Sequence, residues 1–125
     1  MMTTDSRKDI ALEFLRLARA GNRKGTAALF TANARHHNAY FPAGMPALLD
    51  GIADAAKDGP ERPVEVKRVV EEGDIVVVHS HVRKDSADAG YAVIHMFRFE
   101  GTPIAELWDL GQEVPAEPIN RDGMF

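Results

Sequence analysis

Histidine and aspartate at predicted interior positions are the residue types in this chain best suited to acid/base chemistry. His95 stands in the middle of the apolar run 93–97, and Asp109 follows Trp108 further along the chain. Both side chains are costly to bury without a partner, so in a folded core each would need a hydrogen bond or a ligand. An imidazole facing a carboxylate across adjacent strands could orient and tune a group that takes or returns a proton.

Strand alternation predicts the orientation of His95 but not that of Asp109. Alternate residues of 91–99 form a bulky, mostly aromatic face that includes His95, and this face is the predicted interior. On the next predicted strand, the face that carries Asp109 has small and apolar residues, and the face that carries Trp108 has bulky ones. Alternation alone therefore does not decide which of the two faces is buried. Either residue could instead be structural, as a core histidine bound to a backbone carbonyl or as a solvated aspartate.

The other histidines occur in two pairs. His79 and His81 lie two residues apart on a predicted strand and leave the same face, where they could bind a metal with His37 or His95 as a third ligand. This pattern has low specificity, and we predict no metal site and no cofactor. His36 and His37 fall in a predicted loop, where at least one of the two would be exposed. Phosphate-binding glycine loops, serine-hydrolase elbows and dinucleotide fingerprints do not occur in the sequence.

Composition narrows the class of protein. The chain has 125 residues, of which 45% are hydrophobic and 27% charged, as in an ordinary globular domain. Its net charge of −4, with no basic run, argues against nucleic acid and anionic membrane as partners. There is no cysteine, no signal-peptide pattern and no long apolar run, so we expect a single cytoplasmic domain over residues 1–125.

Hydrophobic spacing predicts helices in the first half of the chain and strands in the second. Helices over about 6–58 followed by antiparallel strands over about 63–112 indicate an α+β fold, with helices against one face of a curved sheet and a conical pocket between them. An irregular tail over 113–125 follows. The predicted helices are 9–20, 24–30 and 46–58, a loop covers 31–44, and the predicted strands are 64–70, 75–83, 91–99 and 104–112.

Three stretches have the form of motifs found together in one family. Residues 93–99, Val-Ile-His-Met-Phe-Arg-Phe, have a polar residue before an apolar pair and Arg-Phe. Residues 104–109, Ile-Ala-Glu-Leu-Trp-Asp, have the form of the strand that follows, and residues 36–38, His-His-Asn, that of an element after the second helix. With the order of elements up to about Gln112, the chain resembles the nuclear transport factor 2-like superfamily and, within it, the SnoaL-like polyketide cyclases.

This resemblance implies a cone in which about three helices pack inside a strongly bent, mostly antiparallel, cystatin-like sheet. It also implies cofactor-free acid/base chemistry next to a carbonyl group, as aldol-type cyclisation or isomerisation of a small hydrophobic carbonyl compound. Asp109 would be the acid/base group, assisted by His95, and the resemblance rather than parity places Asp109 inside the cone. Residues expected to line the mouth and hold substrate oxygens are His37, Asn38, Tyr40 and His79.

Departures from the family leave the function open. Ketosteroid isomerase relatives carry acids near the positions of His95 and His37, so isomerase chemistry of that kind is disfavoured. Leu107 stands where many relatives have a polar residue, and Ala39 where proline often follows the His-Asn pair, which favours a smaller or more apolar ligand. The main alternative is a non-catalytic small-molecule binding domain on the same fold, since fold does not fix function. A third, weaker alternative is a metal-dependent lyase or oxygenase that uses the histidines as ligands.

The face of the sheet opposite the pocket predicts a homodimer. With Asp109 and His95 inside, the outer face would be more apolar than a monomer normally exposes, with Trp108 as its central anchor. The alternative is that residues 114–125 fold back and cover this face with Ile119, Met124 and Phe125. The predicted outer face consists of Ala92, Ile94, Met96, Ile104, Glu106, Trp108 and Leu110.

Overall fold

The computed structural model describes residues 6–57 and 64–125, which form three helices and a five-stranded sheet. The predicted end of the third helix at residues 58–60 and the residues around 63 lie outside the described residues. The helices are α1 (Arg7–Arg19), α2 (Arg23–Ala27) and α3 (Met45–Lys57), and the strands are β1 (Phe30–His36), β2 (Val64–Glu72), β3 (Ile75–Val82), β4 (Tyr91–Phe99) and β5 (Ile104–Glu113).

The strands lie in the order β1-β5-β4-β3-β2 in a curled open sheet. Strands β2 to β5 pair antiparallel with their neighbours, and β1 pairs parallel with β5. Helices precede most of the sheet and pack against it, so the predicted α+β class is confirmed. No helix within residues 6–57 and 64–125 is long and apolar enough to cross a membrane.

Helix α1 confirms the helix predicted over 9–20, although it begins two residues earlier and ends one residue earlier. The Ser6 hydroxyl accepts a hydrogen bond from the Asp9 amide, and the Asp9 carboxylate caps the Ser6 amide in return. The helix stops before Gly21, whose φ of 71° is a conformation that glycine adopts without strain. Its apolar side lies on the sheet, where the Phe14 ring meets Phe97 edge to face with centroids 5.5 Å apart.

Strand β1 corrects the predicted loop over 31–44. The sequence of β1 lacks a clear alternation of apolar and polar residues, and only Ala34 and His36 are buried in it. This edge strand is instead held by its parallel pairing with β5, at Arg35 opposite Glu106 and His36 opposite Leu107. Because such pairing joins segments far apart in sequence, local pattern does not reveal it.

The predicted outward position of Ile104 is also wrong. Strand β4 pairs Arg98 with Glu106 but Phe99 with Ile104, so the register shifts at this end of β5. The extra residue reverses the side-chain parity, as in a β-bulge. Ile104 is therefore fully buried in the core cluster, while Glu106 stays on the outer side.

Candidate functional site

A cavity of about 210 Å³ lies between helices α1 and α3 and the concave face of the sheet. This is below the roughly 300–1,000 Å³ of sites for drug-sized ligands, so it suits a small molecule. Leu107 contributes an apolar wall to the cavity. Most of the lining is apolar, and the polar side chains in it are Arg19, Asn38, Ser80, His95 and Asp109.

His95 and Asp109 face each other inside this cavity. They are direct partners on β4 and β5, and 3.6 Å separates His95 Nε2 from Asp109 Oδ2. The His95 side chain is 11% exposed and that of Asp109 25% exposed, so both point to the interior. A gap of 3.6 Å is longer than a hydrogen bond, which leaves the imidazole and the carboxylate each able to bind a third group.

Burial controls the charge of His95. Loss of solvent lowers the pKa of its imidazole, and the negative charge of Asp109 opposes that shift without reversing it. The neutral ring is therefore the form present near pH 7, with one donor and one acceptor nitrogen. Among the described residues, Nδ1 of His95 is buried and has no hydrogen-bond partner.

Asn38 holds the Asp109 carboxylate from the loop after β1. Its side-chain amide donates to Asp109 Oδ2 at 2.9 Å, while its own oxygen accepts from the Tyr40 backbone amide at 2.9 Å. The Asn38 backbone amide donates to His36 Nδ1 at 3.1 Å, so Nε2 of that buried ring donates to the Pro42 carbonyl at 2.8 Å. His36 thus has a structural role, since it shapes the loop that presents Asn38.

Tyr40 and His37 do not line the cavity, contrary to the prediction. Tyr40 is 90% exposed. The His37 ring stacks on Trp108 with centroids 5.1 Å apart, and its Nε2 lies 2.6 Å from Glu106 Oε2. Trp108 and Glu106 belong to the outer parity of β5, so His37 lies on the outer face of the sheet.

His79 also lies on the outer face, so its predicted place at the pocket mouth is wrong. It alternates on β3 with buried Val78 and Ser80, and it therefore points away from the cavity. Its ring stacks on Phe125 and contacts the Arg68 guanidinium. Burial, followed by the charge of Arg68, lowers the pKa of His79.

The two histidines of β3 share a face, as alternation predicts. His81 stacks on Phe125 with centroids 4.3 Å apart and bonds the Ala89 carbonyl. Their proposed third ligands, His37 and His95, lie elsewhere. Across the part of the chain that the structure describes, no three histidine, aspartate or glutamate side chains converge as metal ligands.

Glu106 forms an ionic cluster on the outer side of the sheet. It is only 7% exposed, and its carboxylate accepts from His37, from Arg35 at 3.1 Å and from Arg98 at 3.2 Å. The His37 hydrogen bond first, then those from the two arginines, lower the pKa of Glu106 to about 2. Because these partners come from β1, β4 and the loop after β1, the cluster ties the edge strand to the sheet.

Sequence reasoning missed Ser80 and Phe41 as cavity residues. Ser80 is the polar exception on the valine-rich interior face of β3, and that exception was a usable signal. Phe41 depends on Gly51 of α3, since a Cβ at Gly51 would fall 2.3 Å from the Phe41 ring. That contact joins two segments ten positions apart, and no local pattern predicts it.

Comparisons with known proteins agree with this architecture. A family model described as a SnoaL-like domain matches residues 11–107. A search of curated protein sequences finds no significant relative. Among solved structures, an NTF2-like protein of unknown function from Cytophaga hutchinsonii is 17% identical, with a TM-score of 0.67 over 90% of this chain and 95% of that one.

Two further solved structures carry names that suggest chemistry. AclR, a candidate hydroxylase from Streptomyces galilaeus, is 17% identical with a TM-score of 0.71 over 86% of this chain and 79% of that one. A candidate polyketide cyclase from Sinorhizobium meliloti is 17% identical with a TM-score of 0.67 over 82% of this chain and 94% of that one. At these identities the likeness shows the shared fold alone.

Proposed function

Since the SnoaL-like domain model spans most of it, this chain belongs to the SnoaL-like family of the NTF2-like superfamily, and we propose that it is a cofactor-free acid/base enzyme. The reaction is removal of a proton from the carbon next to a carbonyl group, followed by aldol-type ring closure or by return of the proton elsewhere. The observation that carries the proposal is the Asp109 carboxylate beside the neutral His95 ring in an apolar cavity.

Asp109 is the proposed base. One of its carboxylate oxygens takes the α-proton, and the electron pair of the broken C–H bond moves into the carbonyl to give an enolate. In ring closure the enolate carbon then attacks a second carbonyl of the same molecule, and the resulting alkoxide takes up the proton held by Asp109, which restores the carboxylate. No electron is gained or lost overall, so the sequence of steps needs no redox partner.

His95 is proposed to bind the carbonyl oxygen. As a neutral ring it can donate one hydrogen bond to the oxygen that becomes negative, in a cavity where low polarity strengthens such a bond. At 3.6 Å from the Asp109 carboxylate the imidazole is not hydrogen-bonded to it, so both groups can contact one side of the same substrate. Asn38 is a positioning residue here, because it holds the carboxylate that takes the proton.

The substrate is proposed to be a small, hydrophobic, polyketide-like carbonyl compound. The volume of the cavity and its apolar walls, including Leu107, Phe14 and Ile52, support a compact substrate. The name of the Sinorhizobium meliloti neighbour supports cyclisation as the outcome. Proton exchange at the α-carbon of butyrophenone in deuterium oxide, followed by proton NMR, tests the step without knowledge of the natural substrate.

A non-catalytic binding domain remains the second candidate. The same apolar cavity would bind a small carbonyl compound without turning it over. The two candidates differ in one readout, since both predict that butyrophenone binds and only the enzyme predicts that its α-protons exchange faster than in buffer. Binding with no exchange above buffer favours the binding domain.

Asn38→Ala should lower the exchange rate by about tenfold. The variant removes the hydrogen bond that orients the Asp109 carboxylate, an interaction with a charged group that is worth about 1.5 kcal/mol, or about tenfold in rate. Asn38→Asp should lower the exchange rate further, because a second carboxylate would then face that of Asp109. Parallel measurement of kcat and KM with butyrophenone checks this prediction, and an unchanged kcat in Asn38→Ala would show that the carboxylate needs no support.

We also propose that the protein pairs as a homodimer through the outer face of the sheet. Phe125 covers His79 and His81 there, and Met124 lies near Leu110, but Leu110 is still 63% exposed. Ile119, which the alternative assigned to covering this face, is fully exposed. An apolar surface of this kind is better buried against a second copy.

Leu110→Arg is expected to convert a dimer into a monomer. A charged side chain within a self-associating apolar face would lose its solvation in the dimer without gaining a partner. Sedimentation at micromolar concentration measures the mass, and Ala28→Arg, at an exposed position beside α2, is the matched control that should leave the dimer intact. A wild-type protein that sediments as a monomer contradicts the dimer.

A further inference from the structure

Ser80 is a polar side chain in a wall that is otherwise built from valine. The interior face of β3 presents Val76, Val78, Ser80 and Val82 in turn. Ser80 is 0% exposed and lines the cavity. A valine at this position would fill the space without burying a polar group, which costs free energy unless it is hydrogen-bonded. The presence of a hydroxyl here therefore points to a polar partner inside the cavity.

Two buried polar atoms of the cavity residues lack partners. Within residues 6–57 and 64–125, neither Ser80 Oγ nor His95 Nδ1 has a hydrogen bond. Buried polar groups in folded proteins are nearly always paired, because leaving one unpaired loses its hydration without compensation. A ligand in the cavity can supply the missing partner for the Ser80 hydroxyl.

Strand register sets Ser80 apart from the proposed reacting groups. His95 is directly opposite Asp109 on one side and Val78 on the other, whereas Ser80 is opposite Val93. Ser80 is thus a diagonal neighbour of His95, a relation that separates two residues by about 7–8 Å, with their Cβ atoms somewhat closer. A ligand whose carbonyl oxygen is bound by His95 could therefore also hydrogen-bond Ser80 only if it has a second polar group a few carbon atoms from that carbonyl.

We propose that Ser80 is a specificity-determining residue that binds a second oxygen of the substrate. The preferred substrate is then a carbonyl compound with a further carbonyl or hydroxyl group a few carbons from the first. A serine hydroxyl suits either, since it can donate to a carbonyl and accept from a hydroxyl. This inference rests on the proposed function for the position of the first carbonyl, and it adds the residue that binds a second oxygen.

Two ketones with the same skeleton test the proposal. Benzoylacetone and butyrophenone share a phenyl ring and a four-carbon chain, and benzoylacetone has a second carbonyl at the third carbon. Their dissociation constants are measured by calorimetry for the wild-type protein and for variants. The readout is the ratio of the two constants, which cancels differences in the solubility of the two probes when variants are compared.

Ser80→Ala should reduce the preference for benzoylacetone about tenfold and leave the affinity for butyrophenone nearly unchanged. Ser80→Thr keeps a hydroxyl and should retain the preference. Val82→Ala, a change on the same face of β3 that removes no polar group, should weaken both ketones and leave their ratio unchanged. Since Ser80→Ala removes an unpaired buried hydroxyl, its midpoint of urea unfolding should be equal to or above that of the wild type.

An unchanged ratio in Ser80→Ala overturns the proposal, and so does failure of the wild-type protein to bind benzoylacetone at millimolar concentration. The affinity ratio is read without turnover, so it separates this inference from the proposed enzyme activity. Proton exchange without a Ser80-dependent preference would contradict the role of Ser80 and support the enzyme activity. A Ser80-dependent preference without exchange would do the reverse.

Discussion

Replacing Asp109 by asparagine is expected to lower the rate of α-proton exchange in butyrophenone by about 10²–10⁴-fold. The amide has nearly the shape of the carboxylate but cannot accept the proton. Its oxygen can still accept the hydrogen bond from Asn38, so the loop after β1 should keep its place. Proton NMR in deuterium oxide follows the exchange, and calorimetry with the same ketone shows whether the cavity is intact.

Asp54→Asn is the matched control for this variant. Asp54 lies exposed on α3, where it pairs with Lys57 and is not among the cavity residues. It should retain the wild-type exchange rate. Asp109→Asn that binds butyrophenone normally and exchanges its protons at the wild-type rate would remove Asp109 as the base.

Glu106→Gln should destabilise the protein by about 1–3 kcal/mol at pH 7. The glutamine keeps the size of the side chain but loses the charge that His37, Arg35 and Arg98 bond. The lower end of the range allows for solvent screening, since the Arg35 side chain is 72% exposed. Urea unfolding measures the loss, and Glu117→Gln, an exposed change in the tail, should fall within about 0.5 kcal/mol of the wild type.

The loss at Glu106 should depend on pH in a defined direction. Its folded-state pKa of about 2 lies below the ordinary value of 4.5, so the charged form stabilises the fold above about pH 4.5. That contribution falls away as the pH drops through about 2. The stability difference between wild type and Glu106→Gln should therefore narrow from pH 4.5 downward, and a difference that widens on acidification would show that the cluster is not the cause.

Strands with regular alternation were predictable from sequence, and so was the inward orientation of His95. Strand β4 spans the predicted residues, and His95 faces inward because the bulky side chains around it need burial. Asp109 was different, since both faces of β5 carry apolar residues. Only the resemblance to SnoaL-like proteins indicated its side, and the direct pairing of His95 with Asp109 agrees with it.

The residues that sequence reasoning misplaced depend on contacts between distant segments. His79 is the exception, because its alternation with the adjacent Ser80, which has the interior parity of β3, already places it on the outer face. His37 lies outside because its ring stacks on Trp108, about seventy positions away. The start of β5 shows the same limit, since a register shift places Ile104 in the core, and alternation alone cannot predict a bulge.

The stereochemistry of exchange tests the central claim most directly. The two α-protons of butyrophenone are equivalent in buffer, but a single fixed carboxylate approaches the bound ketone from one side. Wild-type protein in deuterium oxide should therefore give a singly deuterated ketone that is mostly one enantiomer, as measured by deuterium NMR in a chiral aligned solvent. Exchange of both protons at equal rates, or no exchange above that in buffer, would contradict a base held by the fold at Asp109.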